Sequence, residues 1–376
     1  MHIGGVQKSL VNLLGEISDK HEITLLLFYG DGELKNNIPS NVNIIYGNKF
    51  TQIMGMSQQE AKNSGILTLL WRSFWTVLTK IFGIGFSFAI LSRMQKVHGK
   101  YDVGISFMQN SDYKMFYGGC NEFVINSVKA DKKISFVHCD FKNYFGNNKY
   151  NRSYYKNFDK IACVSNSCKK VFDGVCPEYK DKTFTVYNCY DFSDMKMQCT
   201  AYSADYTEGI LNIFSAARIS EEKGIFRMIP IFADFKNKGG KFIWRIAGAG
   251  PLLNDAKEAC KKYGIDDCVV FLGMLDNPYP YFVKSDMLLV PSYDEAAPMV
   301  FGEAAFFGLP VFTTNTTSAV EMVKNGNLGI VCDNTDEAIK SSLYEIIKNP
   351  DLILRFAGKT EVSNATALEQ FENLIM

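Results

Sequence analysis

The chain has 376 residues, 47% of them hydrophobic and 21% charged, and its 40 basic and 40 acidic side chains cancel to a net charge of zero. That length exceeds one ordinary core and predicts two domains, and the neutral balance gives no electrostatic reason for a nucleic-acid partner. Ten scattered cysteines contain no CxxC pair and the four histidines stand apart at 2, 21, 98 and 138, which excludes a histidine-rich metal site and predicts reduced thiols in a cytoplasmic protein, nothing at the N-terminus resembling a secretory signal.

The first predicted element is a helix. In "MHIGGVQKSLVNLLGEI", Val6, Leu10, Leu13, Leu14 and Ile17 share one stripe behind Gly4 and Gly5. A glycine turn that aims amides at a phosphate follows a strand, and no strand is read ahead of this one. The expectation is either a recorded start internal to the natural reading frame or a domain with one strand fewer. "HEITLLLFYG" then reads as a strand. Residues 61–101 carry Lys62, Arg72, Lys80, Arg93, Lys96 and Lys100 and no acid, and their longest uncharged run, 81–92, has 12 residues. Roughly 20 are needed to span a bilayer. Two readings of 65–97 stay open: a basic, Trp- and Phe-rich amphipathic segment lying on an anionic membrane, or a helix pair of the core.

"YDVGISFMQ", "EFVINS", "KKISFVH" and "DKIACVS" read as further strands, and the polar, aperiodic stretch 188–209 as a linker. Beyond it "LNIFSAA", "KFIWRIAG", "CVVFLG", "SDMLLVPS" and "LPVFTT" are predicted strands. Between them Ile225, Met228, Ile229, Phe232 and Phe235 keep helical spacing, "PLLNDAKEACKKYG" is a helix opened by proline and closed by glycine, and 300–308 and 334–348 are helical. Such alternation predicts an α/β protein with open parallel sheets, whose ligands bind at the carboxyl ends of the strands. The expected architecture is two Rossmann-like domains facing each other across a cleft, over 1–195 and 205–350, with a helical tail over 351–376.

"ARISEEKG" places Arg218 and Lys223 five apart at a strand end. Two such cations suit a diphosphate without metal; they equally suit a solvated turn. "MLLVPSYDEAAPMVFGEAAFFGLPVFTT" runs strand, loop, helix, strand, so Glu295 falls in a loop at the sheet's carboxyl edge and Glu303 about one helical turn further on. Amides at that helix start attract phosphate oxygens, and a carboxylate one turn in can accept from both vicinal hydroxyls of a ribose.

Arg218 with Lys223, the turn "IAGAGPLL" and "PSYDEAAPMVFGEAAFFGLPVFTTNTTSAVEMV" together resemble the donor half of the retaining glycosyltransferases of family 4, which have the GT-B fold. The resemblance extends back through "KISFVHCDF", "KIACVSNSCKKVF" and "VYNCYDF" and covers most of the chain. It implies that Arg218 and Lys223 bind the diphosphate of a UDP- or GDP-linked sugar and that Glu303 binds its ribose. Glu295 would sit by the donor sugar or its phosphate, with Ala297, Pro298, Met299 and Val300 and the amides of that stretch nearby. Gly4 and Gly5 would approach the diphosphate, and His138 would reach the reacting sugar. Asn188 and Asp191 would belong to the hinge. No metal or other cofactor is implied. The acceptor would be a glycan or a lipid-linked molecule in polysaccharide or cell-envelope assembly, with 65–97 holding the protein at the inner face of the cell membrane. Where the family commonly has glycine and phenylalanine after the first glutamate, this chain has Ala296, Ala297 and Pro298, which leaves the donor sugar open. Three rivals remain. An oxidoreductase fits poorly, because "GAGPLL" lacks the third glycine of GxGxxG; a sugar-nucleotide epimerase and an inactive glycan- or partner-binding homologue are the others.

Overall fold

The computed structural model describes residues 4–30, 32–358 and 361–376. The chain divides into two compact units: Met1–Cys189 with Asn364–Met376, and Tyr190–Ser363. The last segment of the chain thus returns to the first unit, where the sequence had suggested a tail running from 351.

Unit 1 contains two parallel sheets. β1 (Thr24–Leu27) pairs with β2 (Asn43–Tyr46), and β3 (Tyr101–Ser106), β4 (Ala130–Val137), β5 (Lys160–Cys163) and β6 (Thr183–Thr185) lie side by side in that order. The helix Gly5–Ile17 serves both sheets. Leu13 and Ile17 pack with Ile134, Phe136 and Ala162, while Val11 and Leu14 pack with Leu27, Ile38 and Val42. The residues ahead of Gly4, where the sequence shows no strand, lie outside the described residues. "EFVINS" is not a strand but part of the helix Cys120–Ser127. β3 and β4 are parallel neighbours, and the connection between such strands must cross over, usually by a helix. A pair of glycines, Gly118 and Gly119, turns the chain into that helix at φ 93 and 81.

The basic segment forms two helices, Ile66–Phe82 and Ile84–Arg93, joined at Gly83. Their inner sides close a core with Met54, Met56 and Phe116, in which Trp75, Ile84, Phe88 and Leu91 are buried.

Unit 2 holds one six-stranded parallel sheet in the order β12-β11-β10-β7-β8-β9. Its strands are β7 (Leu211–Ala216), β8 (Phe242–Ala247), β9 (Val269–Gly273), β10 (Met287–Val290), β11 (Val311–Thr314) and β12 (Gly329–Cys332). Side chains alternate between two cores. Ile213, Trp244, Met287, Leu289 and Phe312 face the helices Ile225–Asn237, Leu253–Lys262 and Asp336–Lys348, whereas Phe214, Leu288, Val290 and Val311 face Tyr279–Lys284 and Met299–Phe307. A sheet covered on both faces explains the near-continuous apolar runs of its strands. The stretch read as a linker contributes the helix Phe192–Gln198, whose Met195 is buried in this unit.

Candidate functional site

The strand order fixes where a ligand binds in unit 2. The chain runs outward from β7 to β9, then returns to the other side of β7 as β10. The crevice at the carboxyl ends of β7 and β10 is therefore the switch point where open α/β sheets take their ligands. The loop leaving β7 carries Arg218 and Lys223, and the loop leaving β10 carries Glu295.

Three contacts lock these loops together. The Tyr293 amide donates to the Glu222 carbonyl at 2.8 Å. Gly224, at φ 67, sits so close to Pro291 that an added Cβ would fall 2.0 Å from its carbonyl oxygen. Lys223 Nζ lies 2.6 Å from Glu295 Oε1, with both side chains largely shielded from solvent. The Ser292 hydroxyl donates to the same oxygen at 2.9 Å, and the Ser292 carbonyl accepts from the Thr314 hydroxyl on β11. Glu295 is thus held by one oxygen, and its Oε2 makes no hydrogen bond among the described residues. Arg218 is exposed. Burial raises the pKa of Glu222, but the Ser220 hydroxyl, the backbone and the charges of Lys223 and Arg218 outweigh it, so that the carboxyl ends below its ordinary value.

The glycines of "GAGP" serve close approach. A Cβ on Gly248 would meet the Ala217 carbonyl at 1.9 Å and one on Gly250 the Ile219 carbonyl at 2.2 Å, so the turn after β8 presses directly on the loop after β7. Pro298 precedes the helix Met299–Phe307 in an extended conformation, which leaves the amides of Met299 and Val300 among the first donors of the helix, without intrahelical acceptors. Ala297 lies in the loop just before it. Glu303 is one turn in and 3% exposed. Lys223 and Glu295 are therefore in contact, Arg218 shares their sheet edge, and the helix carrying Glu303 starts from the same loop. Gly4, Gly5 and His138 belong to unit 1.

His138 follows β4. Its amide donates to Gln109 Oε1 at 3.0 Å, and its ring lies against Phe107 and Phe136. Burial drives the imidazole pKa down to about 4, opposed by a smaller effect of a hydrogen bond with the Phe107 backbone. The ring is neutral at pH 7, and its Nε2 is buried with no hydrogen-bond partner among the described residues. If Nδ1 makes the backbone bond, Nε2 offers a lone pair to a hydroxyl. Gly4 and Gly5 begin the 13-residue helix Gly5–Ile17. Asn188 accepts from Ser9, Asp191 caps the helix Phe192–Gln198, and the chain leaves unit 1 between them. Among the described residues, no three His, Cys, Asp or Glu side chains gather around a metal position.

Sequence reasoning missed the supports of this site. Arg227, 5% exposed, places its guanidinium 4.1 Å over the Tyr293 ring while pairing with Asp336 at 2.7 Å, and Asn334 donates to the Tyr293 carbonyl at 2.9 Å. The only signal for Ser292 was its place three residues before Glu295 at a strand end.

Two all-parallel Rossmann-like units, the second with paired charges at its switch point, define the GT-B class of glycosyltransferase fold. Residues 208–361, all within the second unit, match the model of the family described as glycosyl transferases group 1. Over its full length the chain is similar to Anabaena HepE solved in complex with UDP, with a TM-score of 0.59 and 15% identity, covering 99% of this chain and 94% of that one. In sequence it is 28% identical over 153 residues to an uncharacterized glycosyltransferase of Haemophilus influenzae, covering 40% of this chain. It is 27% identical over 147 residues to the alpha-monoglucosyldiacylglycerol synthase of Streptococcus pneumoniae, covering 39% of this chain. These alignments span 43% and 33% of the two relatives' own length.

Proposed function

We propose that the protein is a retaining glycosyltransferase that moves a sugar from a nucleotide diphosphate to a glycan or lipid-linked acceptor in polysaccharide or cell-envelope assembly. The observation that carries this reading is the Lys223–Glu295 ion pair at the switch point of a glycosyl transferases group 1 domain. Arg218 and Lys223 offset the charge that grows on the leaving diphosphate, and the amides around Ala297 and Met299 add helix dipole to the same end. Glu295 holds Lys223 in place and turns its second oxygen toward the donor sugar. Glu303 accepts from the ribose hydroxyls. His138, neutral, takes a hydrogen bond from the sugar, and Gly4 and Gly5 let a helix start approach the diphosphate. The leaving phosphate takes the acceptor's proton on one face of the sugar, with no metal or organic cofactor. The UDP bound by the Anabaena neighbour favours a UDP-linked donor. The lipid product named for the pneumococcal relative favours an acceptor at a membrane, with 65–97 at the cytoplasmic surface.

A panel of UDP-, GDP- and ADP-sugars tests this. One of them is expected to raise the melting temperature and, with acceptor, to give a glycoside whose anomeric configuration by NMR matches the donor. Arg218→Ala and Lys223→Ala should each lower turnover by about a hundredfold, the scale on which a lost transition-state charge partner acts. Chelator should change nothing. An epimerised donor without transfer, or activity abolished by chelator, would refute the proposal.

A further inference from the structure

The helix Ile66–Phe82 wears its apolar side outward. Its inner side carries Arg72, Trp75 and Thr79, all buried. Arg72 donates to the Met56 carbonyl at 2.9 Å and to Gln58 Oε1 at 2.7 Å, and Thr79 donates to Ser87 at 2.7 Å. The outer side carries Leu67, Leu70, Phe74, Val77 and Ile81, spaced by three and four and between 52% and 78% exposed. An ordinary surface helix does the reverse. The stripe continues through Phe86 and Ile90 on the second helix, where the Phe82 and Phe86 ring centroids are 5.0 Å apart. A contiguous apolar surface of this kind marks a docking site.

Charge identifies the occupant. Residues 61–101 contain no acid, and Lys80, Arg93 and Lys96 are exposed on the same two helices and their end. At the far end of the stripe exposed Lys114 donates to the Ile81 carbonyl at 2.9 Å. A second copy docked by a two-fold axis would set these cations against themselves, whereas anionic headgroups meet them with opposite charge. From Leu67 to Ile81 the helix rises about 21 Å at 1.5 Å per residue, short of the roughly 30 Å of a hydrocarbon core. None of the described helices is long and apolar enough to cross a membrane. The stripe therefore lies along a bilayer surface.

We propose that the two helices rest in the plane of an anionic bilayer with the stripe inserted, and that the loop after β3 rides on the same surface. That loop is clamped to the helix junction. Tyr113 donates to the Phe82 carbonyl at 3.0 Å, the Ile84 amide donates to the Tyr113 carbonyl at 2.9 Å, and a Cβ on Gly83 would fall 2.0 Å from the Tyr113 ring. Met115 and Tyr117 follow, 47% and 41% exposed. Because this loop leaves the carboxyl edge of the sheet whose β4 leads to His138, the acceptor is presented from the membrane as a lipid-linked molecule. Only this last step rests on the glycosyltransferase reading; the docking stands on the helices.

Co-sedimentation with phosphatidylcholine vesicles, with and without phosphatidylglycerol, decides it. The full chain is expected to bind the phosphatidylglycerol vesicles and to weaken as salt rises. Leu67→Ser, Phe74→Ser and Ile81→Ser together should lower partitioning by more than about tenfold, and Lys80→Gln with Lys96→Gln should remove the preference for phosphatidylglycerol. Stripe variants that bind as tightly as the parent would overturn the proposal, as would a parent that ignores vesicles and sediments as a dimer dissolved by the same substitutions. Thermal stabilisation by UDP, run in parallel, separates the two readings. Binding of UDP or of any sugar nucleotide of the panel without vesicle binding removes the docking and leaves the transferase; vesicle binding with no UDP-, GDP- or ADP-sugar bound does the opposite.

Discussion

Glu122 is the most deeply buried acid among the described residues of unit 1, at 0% exposure, and it accepts from Asn110 at 2.7 Å and from Tyr150 at 3.2 Å through one oxygen. Burial lifts its pKa from 4.5 to about 7. Below pH 4.5 the folded and unfolded chains both hold the proton. Between 4.5 and 7 the unfolded chain releases it and the folded chain keeps it, so stability falls as pH rises, by on the order of 3 kcal/mol once above 7. Glu122→Gln keeps the accepting oxygen and cannot titrate. The melting temperature of the parent is therefore expected to drop several degrees relative to the variant between pH 5 and pH 8, whatever the absolute offset between them; parallel profiles would refute this. His138, whose pKa is lowered, slopes the other way below pH 6.5 and cancels in the comparison. At the ligand end, Glu303→Gln should weaken UDP binding about tenfold by calorimetry, as losing a hydrogen bond to a charged group does, and unchanged affinity would remove it from the ribose. Arg218 with Lys223, and Glu295 with Glu303, drew notice as two short local intervals; that Lys223 reaches Glu295, 72 residues further on, had no local sign. Arg227 and Gln109 were not legible, since each acts through a partner that only the folded chain brings near, and Ser292, though three residues from Glu295, is one serine among many at a strand end.

At the scale of elements, the two loops of the switch point depend on one backbone conformation. Gly224 combines a left-handed φ of 67 with the close approach to Pro291. Alanine there costs about 1–2 kcal/mol for the conformation and must also push the loops apart, so the Lys223–Glu295 contact should stretch. Gly224→Ala is expected to lower UDP affinity by more than about tenfold. Gly239 has a similar φ of 83 with open space around it, and Gly239→Ala should lose stability alone. Equal UDP affinity in the two variants would show that the close approach does not organise the site. Most strands of unit 2 were readable, because a sheet buried on both faces writes continuous apolar runs. β12, no shorter than β10 or β11, escaped because it opens on glycine and two of its four residues are only half-buried. "EFVINS" misled for a related reason: six residues hold fewer than two helical turns, and periodicity cannot separate so short a helix from a strand.

The whole molecule crosses between its units twice, at 189–190 and at 363–364. The sequence marked 351–376 as helical, and the helix Ala365–Ile375 buries Ala367, Phe371 and Leu374, yet which core receives that helix is a property of the chain's path and has no local signature. It packs with Leu13, Ile17 and Phe136 of unit 1. Polar contacts fix its register: Asn364 donates to Glu16 at 2.6 Å, Gln370 accepts from the Tyr187 amide at 3.0 Å, and His21 lies 3.0 Å from Glu372. Lys160 donates to the Asn373 carbonyl at 3.1 Å near the end of the helix Ala365–Ile375, where a cation also favours the dipole. Burying one phenylalanine, one leucine and one alanine contributes on the order of 5 kcal/mol, all of it to unit 1. A chain ending at Ser363 should therefore keep the calorimetric transition of unit 2 unchanged while that of unit 1 falls by about 10 °C or more, at 2–4 °C per kcal/mol for a domain of this size. Adding the 364–376 peptide in trans should restore part of the loss. If both transitions move together, the returning helix stabilises the chain as a whole and the assignment of 364–376 to unit 1 alone fails.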